Sequence, residues 1–467
     1  MDPKLYIEKL FEVKQMPVAP HQAALFEEFC SNASYLEAAT DILRKQQLLM
    51  DAWSLNNRIN DIKRQQVMIP NGTVGKVYGA QLDTTGWGWQ DLVLLELEGL
   101  EAIGLAYDPE TQQIRGIPEQ NGDFKLKLKF KVTGEAEDAV PNEKLIPLII
   151  NPDPKSLWKT TPSDNTDPFW KADETAVSAP LGDRHIVAAS KRGRSHANTG
   201  AFRDDDFAFA HFATSGWSVV AVSDGAGSAK FSRQGSRIAC DTVVQYLGNK
   251  AEGGDFAELD TLLEAYNTNT GTDLQKKISL HIYQALGGAA QQAYKEIEAF
   301  AKEQGAGIRD FHATLIFALV KKYKSGYAVL TFGVGDCPIG LISKDRSAVH
   351  LMNKLDVGEF GGGTRFITMP EIFRDDLSGR FGFKFVEDFT ALMLMTDGIY
   401  DPKFEVEANL EQVSKWDGFL RDLEGDNADL ARVNLDADNP DIATELSVWM
   451  DFWSPGNHDD RTLVIIF

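Results

Sequence analysis

The residues of this chain best suited to chemistry are acids at the ends of apolar runs. Val219-Val-Ala-Val-Ser leads into Asp224-Gly225, and Ala391-Leu-Met-Leu-Met-Thr leads into Asp397-Gly398. Close to the last residue, Asp459-Asp460 precedes Arg461-Thr-Leu-Val-Ile-Ile-Phe467. Asp204-Asp-Asp206 opens Phe207-Ala-Phe-Ala, and Asp336 closes Val329-Leu-Thr-Phe-Gly-Val-Gly. A single Asp at a strand end is ordinarily a turn or cap residue. Five such ends, two of them with the same Asp-Gly pair, ask for more. Neighbouring buried strands can gather these carboxylates, which then repel one another and need a cation. Hard oxygen donors favour Mg²⁺ or Mn²⁺ over zinc. Glycine after Asp also lets backbone approach closely and offers its carbonyl to a cation.

The acids require strands to carry them. From about 183 to 467 the patterning predicts strands at 185–190, 206–213, 217–223, 313–321, 327–333, 338–342, 391–396 and 462–467. Helices are expected at 232–248, 255–267 and 275–304. Strands arrive in groups, which points to an α+β sandwich more than to a doubly wound parallel sheet. Ahead of this domain, residues 1–65 place apolar residues at helical spacing, with a break at Ser31–Ser34. In 66–152 the pattern changes to short runs, and Lys125-Leu-Lys-Leu-Lys-Phe-Lys-Val132 alternates strictly, as a half-buried strand does. The run Gly104 to Phe124 resembles Ig-like or cadherin-like bacterial domains, which implies a small β-sandwich for spacing or recognition. Residues 153–182, rich in Pro, Asp, Ser and Thr with Trp158, Phe169 and Trp170, read as a linker docked through its aromatics. Asp401 to Asp451 is strongly acidic and reads as a solvated insertion around helices, and Glu359-Phe-Gly-Gly-Gly-Thr364 as a mobile rim over a site.

Bulk properties narrow the function. The 467 residues suffice for about two or three domains. A net charge of −22 argues against general nucleic-acid binding and against attraction to anionic membranes. No apolar run approaches the roughly 20 residues that span a bilayer. Cys30, Cys240 and Cys337 are far apart with no CxxC pair, which argues against structural zinc and fits a reducing cytoplasm. There is no GxxxxGK[ST] phosphate loop and no HExxH, and Gly333-Val-Gly-Asp-Cys-Pro-Ile-Gly340 would set Asp336 against a pyrophosphate.

Further motifs stand in order between residues 190 and 463. They are Ser190-x-x-Gly193-x-x-His196, Arg203-Asp-Asp-Asp206, Val222-Ser-Asp-Gly-Ala-Gly-Ser228 with Ser232 and Gly235-Ser236, and His312-Ala-Thr-Leu315. Phe332-Gly-Val-Gly-Asp336, Gly361-Gly-Gly-Thr-Arg-Phe-Ile-Thr368, Met395-Thr-Asp-Gly398 and Asp459-Asp-Arg-Thr-Leu463 follow. Each alone is weak. In this order the domain resembles the metal-dependent protein phosphatases of type 2C, the PPM family. The resemblance implies a four-layer αββα sandwich with two Mn²⁺ or Mg²⁺ ions. Asp224 would bridge the ions, the Gly225 carbonyl would bind one, and Asp397 and Asp459 would hold the other. The first acidic motif would bind through water, from Asp205 by its spacing from His196 or from Asp206 by its place before the strand. Asp336 would help form a third, weaker site with Asp397. A water bridging the two ions would attack phosphorus in line, with no covalent enzyme intermediate. The implied substrates are proteins phosphorylated on serine or threonine, in signalling with a cognate kinase.

The chain departs from the family after the first Asp-Gly pair, where Ala226 stands in place of the frequent His or Met. His196 is then the nearest replacement as proton donor, against the plainer reading of a structural loop histidine. Arg203, Arg194 and Arg192 compete as the phosphate-binding arginine, and none has the usual spacing. Two rival readings remain: a degenerate phosphatase fold that binds phosphoproteins without turnover, and a phosphatase of small molecules.

Overall fold

The computed structural model describes residues 2–266, 271–356, 363–374 and 376–467. The chain separates into two compact units, Met1–Leu157 and Trp158–Phe467.

The first unit starts with three helices, α1 (Pro3–Val13), α2 (Ala23–Cys30) and α3 (Ala33–Arg64). The break expected at Ser31–Ser34 is where Asn32 caps α3, its side chain accepting from the Ser34 N–H at 3.0 Å. Seven strands follow: β1 (Gly72–Thr73), β2 (Tyr78–Gln81), β3 (Leu92–Glu98), β4 (Leu105–Asp108), β5 (Gln113–Gly116), β6 (Gly122–Val132) and β7 (Asn142–Asn151). They form one sheet in the order β1-β7-β6-β3 and a second in the order β2-β5-β4. The alternation in β6 buries Leu126, Leu128, Phe130 and Val132, which join Trp89, Ile114 and Ile146 in one core.

The second unit is a mixed α+β fold. Its elements are β8 (Glu174–Leu181), β9 (Arg184–Lys191), α4 (Arg194–Thr199), β10 (Asp206–Phe212), β11 (Trp217–Ser223), α5 (Ser232–Glu252), α6 (Ala257–Tyr266) and α7 (Thr272–Glu303). Then come β12 (Leu315–Tyr323), β13 (Gly326–Val334), β14 (Ile339–Ser343), β15 (Val349–Leu351), β16 (Phe381–Val386), β17 (Phe389–Met395), α8 (Asp397–Phe404), α9 (Val413–Leu423), α10 (Ile442–Trp449) and β18 (Arg461–Ile466). One antiparallel sheet has the order β10-β11-β12-β13-β16 and the other β15-β14-β17-β18-β9-β8.

β11, β13 and β17 are almost continuously apolar because both of their faces are buried. On β11, Trp217, Val219 and Ala221 face a core shared with α5, α6 and α7, while Val220 and Val222 face the other sheet. On β18, Val464 and Ile466 face the core between the sheets, while Leu463 and Ile465 face α8, α9 and α10.

Four segments differ from the sequence reading, two of them the unexpected strands β15 and β16. Glu174–Leu181, inside the expected linker, is a strand paired along its length with β9. Its Val177 and Ala179 pack on the core between the sheets, a short alternation that the surrounding polar composition hides. The acidic stretch 401–451 is more than a solvated insertion: Trp416, Phe419, Leu420 and Trp449 are buried against the second sheet, and Asp422 accepts from the Trp449 indole at 2.7 Å. Residues 359–362 of the expected rim lie outside the described residues. Among the described residues, no helix is long and apolar enough to cross a membrane, and all three cysteines are free and buried.

Candidate metal centre

Asp224 leaves the end of β11 in an extended backbone that keeps pairing with the residues before β12. Its N–H donates to Thr314 Oγ1 at 2.9 Å, the Thr314 N–H donates to its carbonyl at 2.8 Å, and the Ala226 N–H donates to the His312 carbonyl at 3.0 Å. The two Asp-Gly pairs have a shared steric reason. A Cβ on Gly225 would stand 2.6 Å from the Asp204 carbonyl oxygen, and one on Gly398 would collide with the Asp460 carbonyl. Each glycine lets one acid-bearing segment lie directly on another.

Asp397 opens α8, directly after Thr396, whose N–H donates to the Thr462 carbonyl at 3.0 Å. Thr396 and Thr462 both donate their hydroxyls to Asp205 Oδ2, each at 2.8 Å. Asp205 and Asp224 are close enough to share a hydrogen bond between their carboxyl groups. Burial, followed by repulsion from Asp397, Asp205 and Asp459, pushes the Asp224 carboxyl well above its ordinary range. Burial, then Asp459, Asp336 and Asp205, does the same to Asp397. Asp205 is pushed up to about 7 by burial and then by Asp460, against the help of Thr396. Burial and then Asp460 raise Asp459, and burial raises Asp336 although Thr364 donates to its Oδ2 at 2.6 Å.

The structure therefore brings Asp205, Asp224, Asp336, Asp397 and Asp459 to one place from separate segments of the sequence. Asp206 turns away, forming an ion pair with Lys171 at 2.9 Å. Arg203 is also elsewhere: it is buried, with bonds to the Ala172 carbonyl at 3.0 Å, Ser190 Oγ at 2.5 Å and the Asp205 carbonyl at 2.9 Å. Arg192 is likewise held by the Ala201 and Thr161 carbonyls and Asp173. Arg194 meets only the Asp451 carboxylate, at 3.8 Å, among the described residues.

His196, on α4, stands at the edge of the cluster with Nδ1 3.0 Å from Asp460 Oδ1. Asp460 also accepts the Gly193 N–H at 2.6 Å and the Asp204 N–H. Burial, the largest single cause, opposes the charge on both partners, but the bond together with the nearby acids on His196, and with the Gly193 and Asp204 N–H groups on Asp460, outweighs it, so His196 rises to about 9 and Asp460 falls below its ordinary value. Sequence reasoning missed Thr396, Thr462, Thr314 and Asp460 as supports of the site. All four stand inside the ordered motifs, Thr314 in 312–315, Thr396 in 395–398 and Asp460 and Thr462 in 459–463, which mark the positions but not their roles.

The donor set fits a hard divalent cation. Asp336 Oδ1 and Asp397 Oδ1 are buried without a hydrogen-bond partner among the described residues, and carboxylates that raise one another's pKa are the environment a cation relieves.

Comparison with known proteins bears on this arrangement. No curated protein matches the chain. Among solved structures, the serine/threonine phosphatase Stp1 from Staphylococcus aureus is 12% identical, over 63% of this chain and 98% of that one, with a TM-score of 0.37. The serine/threonine phosphatase of S. agalactiae is 14% identical over 61% and 99%, with a TM-score of 0.36. The catalytic domain of the serine threonine protein phosphatase PstP, solved with two manganese ions, is 14% identical over 62% and 98%, with a TM-score of 0.34. Likenesses this distant carry no weight alone. The sequence model of protein phosphatase 2C, however, matches residues 192–433, more than half of the chain. That span takes in Asp205, Asp224, Asp336 and Asp397 on their separate segments, and by this match the chain belongs to the protein phosphatase 2C family.

Proposed function

We propose that this chain is a metal-dependent phosphatase of phosphoserine and phosphothreonine in proteins. The observation that carries the reading is the burial of Asp224, Asp397 and Asp459 in mutual repulsion, with carboxylate oxygens of Asp397 and Asp336 left unpartnered among the described residues. Asp205, Asp224, Asp397, Asp459 and the Gly225 carbonyl would hold two Mn²⁺ or Mg²⁺ ions, with Asp336 towards a third. Such ions supply a nucleophilic water at neutral pH and screen the phosphoryl oxygens. The chain's own residues do the rest. Thr396 and Thr462 fix the Asp205 carboxylate, and the Thr314 hydroxyl fixes the Asp224 backbone. His196 keeps Nδ1 on Asp460, which leaves Nε2 to give a proton to the departing serine or threonine oxygen, the task that Ala226 cannot perform. Arg194, the least engaged of the three arginines, attracts the phosphate.

The three cores of the second unit support a four-layer αββα sandwich. The paired small sheets at 66–152 support an Ig-like spacer or recognition module. Three free buried cysteines support a reducing, cytoplasmic setting, and the phosphoprotein reading carries a cognate kinase with it.

The test is hydrolysis of a phosphothreonine peptide by the full chain across a Mn²⁺ titration, with metal binding followed in parallel by calorimetry. Turnover that rises with occupancy supports the reading. Saturated metal sites without turnover leave a phosphoprotein-binding module instead.

A further inference from the structure

The opening segment of the second unit, residues 158–173, has almost no regular structure of its own, lies ahead of the stretch matched by the family, and is pinned to the segments that carry the acids. At its start the Trp158 ring packs edge-on against His458, centroids 4.5 Å apart, immediately before Asp459. The Thr161 N–H donates to the Ala197 carbonyl at 2.8 Å, and the Thr161 carbonyl accepts from Arg192 at 3.0 Å. Asp167 pairs with Arg233 at 2.8 Å, and Phe169 packs on Phe231 and Phe300 at 5.2 and 5.7 Å. These anchors place Lys171 under the turn that carries Asp205. Its Nζ donates to the Asp205 carbonyl at 2.6 Å and to Asp206 Oδ2 at 2.9 Å, with the Arg233 carbonyl at 3.3 Å and Ser236 Oγ at 3.5 Å. The neighbouring Ala172 carbonyl accepts from Arg203, whose other end also grips the Asp205 carbonyl.

An ammonium with 10% of its side chain exposed is costly to bury. Neutralising Asp206 alone does not account for it, because the shortest Lys171 bond, 2.6 Å, goes to the Asp205 carbonyl, against 2.9 Å to the Asp206 carboxylate. What the burial achieves is a fixed Asp205 backbone, gripped on its carbonyl by two cationic donors while two threonines grip its carboxylate.

We propose that residues 158–173 form a positioning strap for the metal centre, and that Lys171 is the positioning residue through which the strap sets the affinity of the Asp205 end of the site for a divalent cation. The inference rests on the metal reading given above. It also gives the segment a role beyond connection.

Charge and positioning predict opposite signs. Removing a nearby positive charge should tighten cation binding by simple electrostatics, whereas releasing the turn should weaken it. The experiment is calorimetric titration of Mn²⁺ into the metal-free full chain, for wild type, Lys171→Met, and Lys171→Met with Asp206→Asn, each first shown to unfold cooperatively. The expected result is about ten-fold weaker Mn²⁺ binding in Lys171→Met, unrelieved by Asp206→Asn. Binding as tight as wild type or tighter, or full recovery in the double variant, overturns the inference. Should Lys171→Met fail to fold, Asp167→Ala loosens the same strap at its half-buried anchor on Arg233 and is expected to weaken Mn²⁺ several-fold; wild-type affinity there overturns the inference equally. A wild-type chain that binds no Mn²⁺ overturns the metal reading itself, and this inference with it. A wild type that binds, with Lys171→Met matching it, overturns this inference alone.

Discussion

Thr396 Oγ1 donates to Asp205 Oδ2 at 2.8 Å across 191 residues of sequence. The bond joins the segment that delivers Asp397 to the one that delivers Asp205, and Thr462, within the last apolar run, closes the same oxygen from the other side. Asp205 is therefore ordered by hydroxyls before any cation arrives. Thr396→Val, equal in shape but without the hydroxyl, leaves a buried carboxylate short of a donor. Above pH 7 this is expected to destabilise the metal-free protein by about 1.5–3 kcal/mol, read by calorimetric unfolding.

Asp224 has the opposite balance, since its carboxylate is opposed by burial and three neighbouring acids. Asp224→Asn removes that repulsion. Metal-free Tm at neutral pH is expected to rise by about 3 °C, while Mn²⁺-dependent hydrolysis is lost. A fall in Tm together with retained hydrolysis would contradict both the repulsion and the assigned role.

The same acids set a pH dependence. An Asp in the unfolded chain ionises near about 4, whereas Asp204 holds its proton up to about 6 and Asp205 up to about 7, burial being the first cause in each case. Between those limits the native state binds more protons than the unfolded one, so stability falls as pH rises. His196, raised to about 9, adds stability that is complete below its ordinary value and is lost as pH climbs through about 9. Calorimetry in EDTA is expected to show Tm falling between about pH 4 and pH 7; saturating Mn²⁺ should flatten that slope.

The bond between His196 and Asp460 makes a prediction that depends on the leaving group. If His196 protonates the departing oxygen, His196→Gln should slow a phosphothreonine peptide by about 100-fold. Hydrolysis of p-nitrophenyl phosphate, whose phenolate leaves without a proton, should change little. Equal losses on both substrates would assign the histidine to structure.

The arginines should divide by burial. Arg203→Met removes donors from the Ala172 and Asp205 carbonyls and from Ser190, and is expected to cost about 3 kcal/mol of stability. Arg194→Ala should leave stability within about 0.5 kcal/mol and raise KM for the phosphopeptide. The reverse pattern would exchange their roles.

The amino-acid order alone determined the acid-bearing strands and the acids that end them, but not the edge strands Glu174–Leu181, Val349–Leu351 and Phe381–Val386. Runs such as Val219 to Val222 and Leu463 to Ile466 are apolar on both faces, so their burial, and with it the exit of Asp224 and the entry from Asp459, was legible without coordinates. Tertiary structure decided what three consecutive aspartates each do. Asp205 lies just before β10 and meets Asp224 and two threonine hydroxyls, while Asp206, the first residue of the strand, meets Lys171. No local pattern announces Lys171, because its partner lies 35 residues away and is selected only when the strap folds onto the turn. The glycine of each Asp-Gly pair was visible as a residue type, but its reason, contact with the backbone of another acid-bearing segment, exists only once the two sheets are packed.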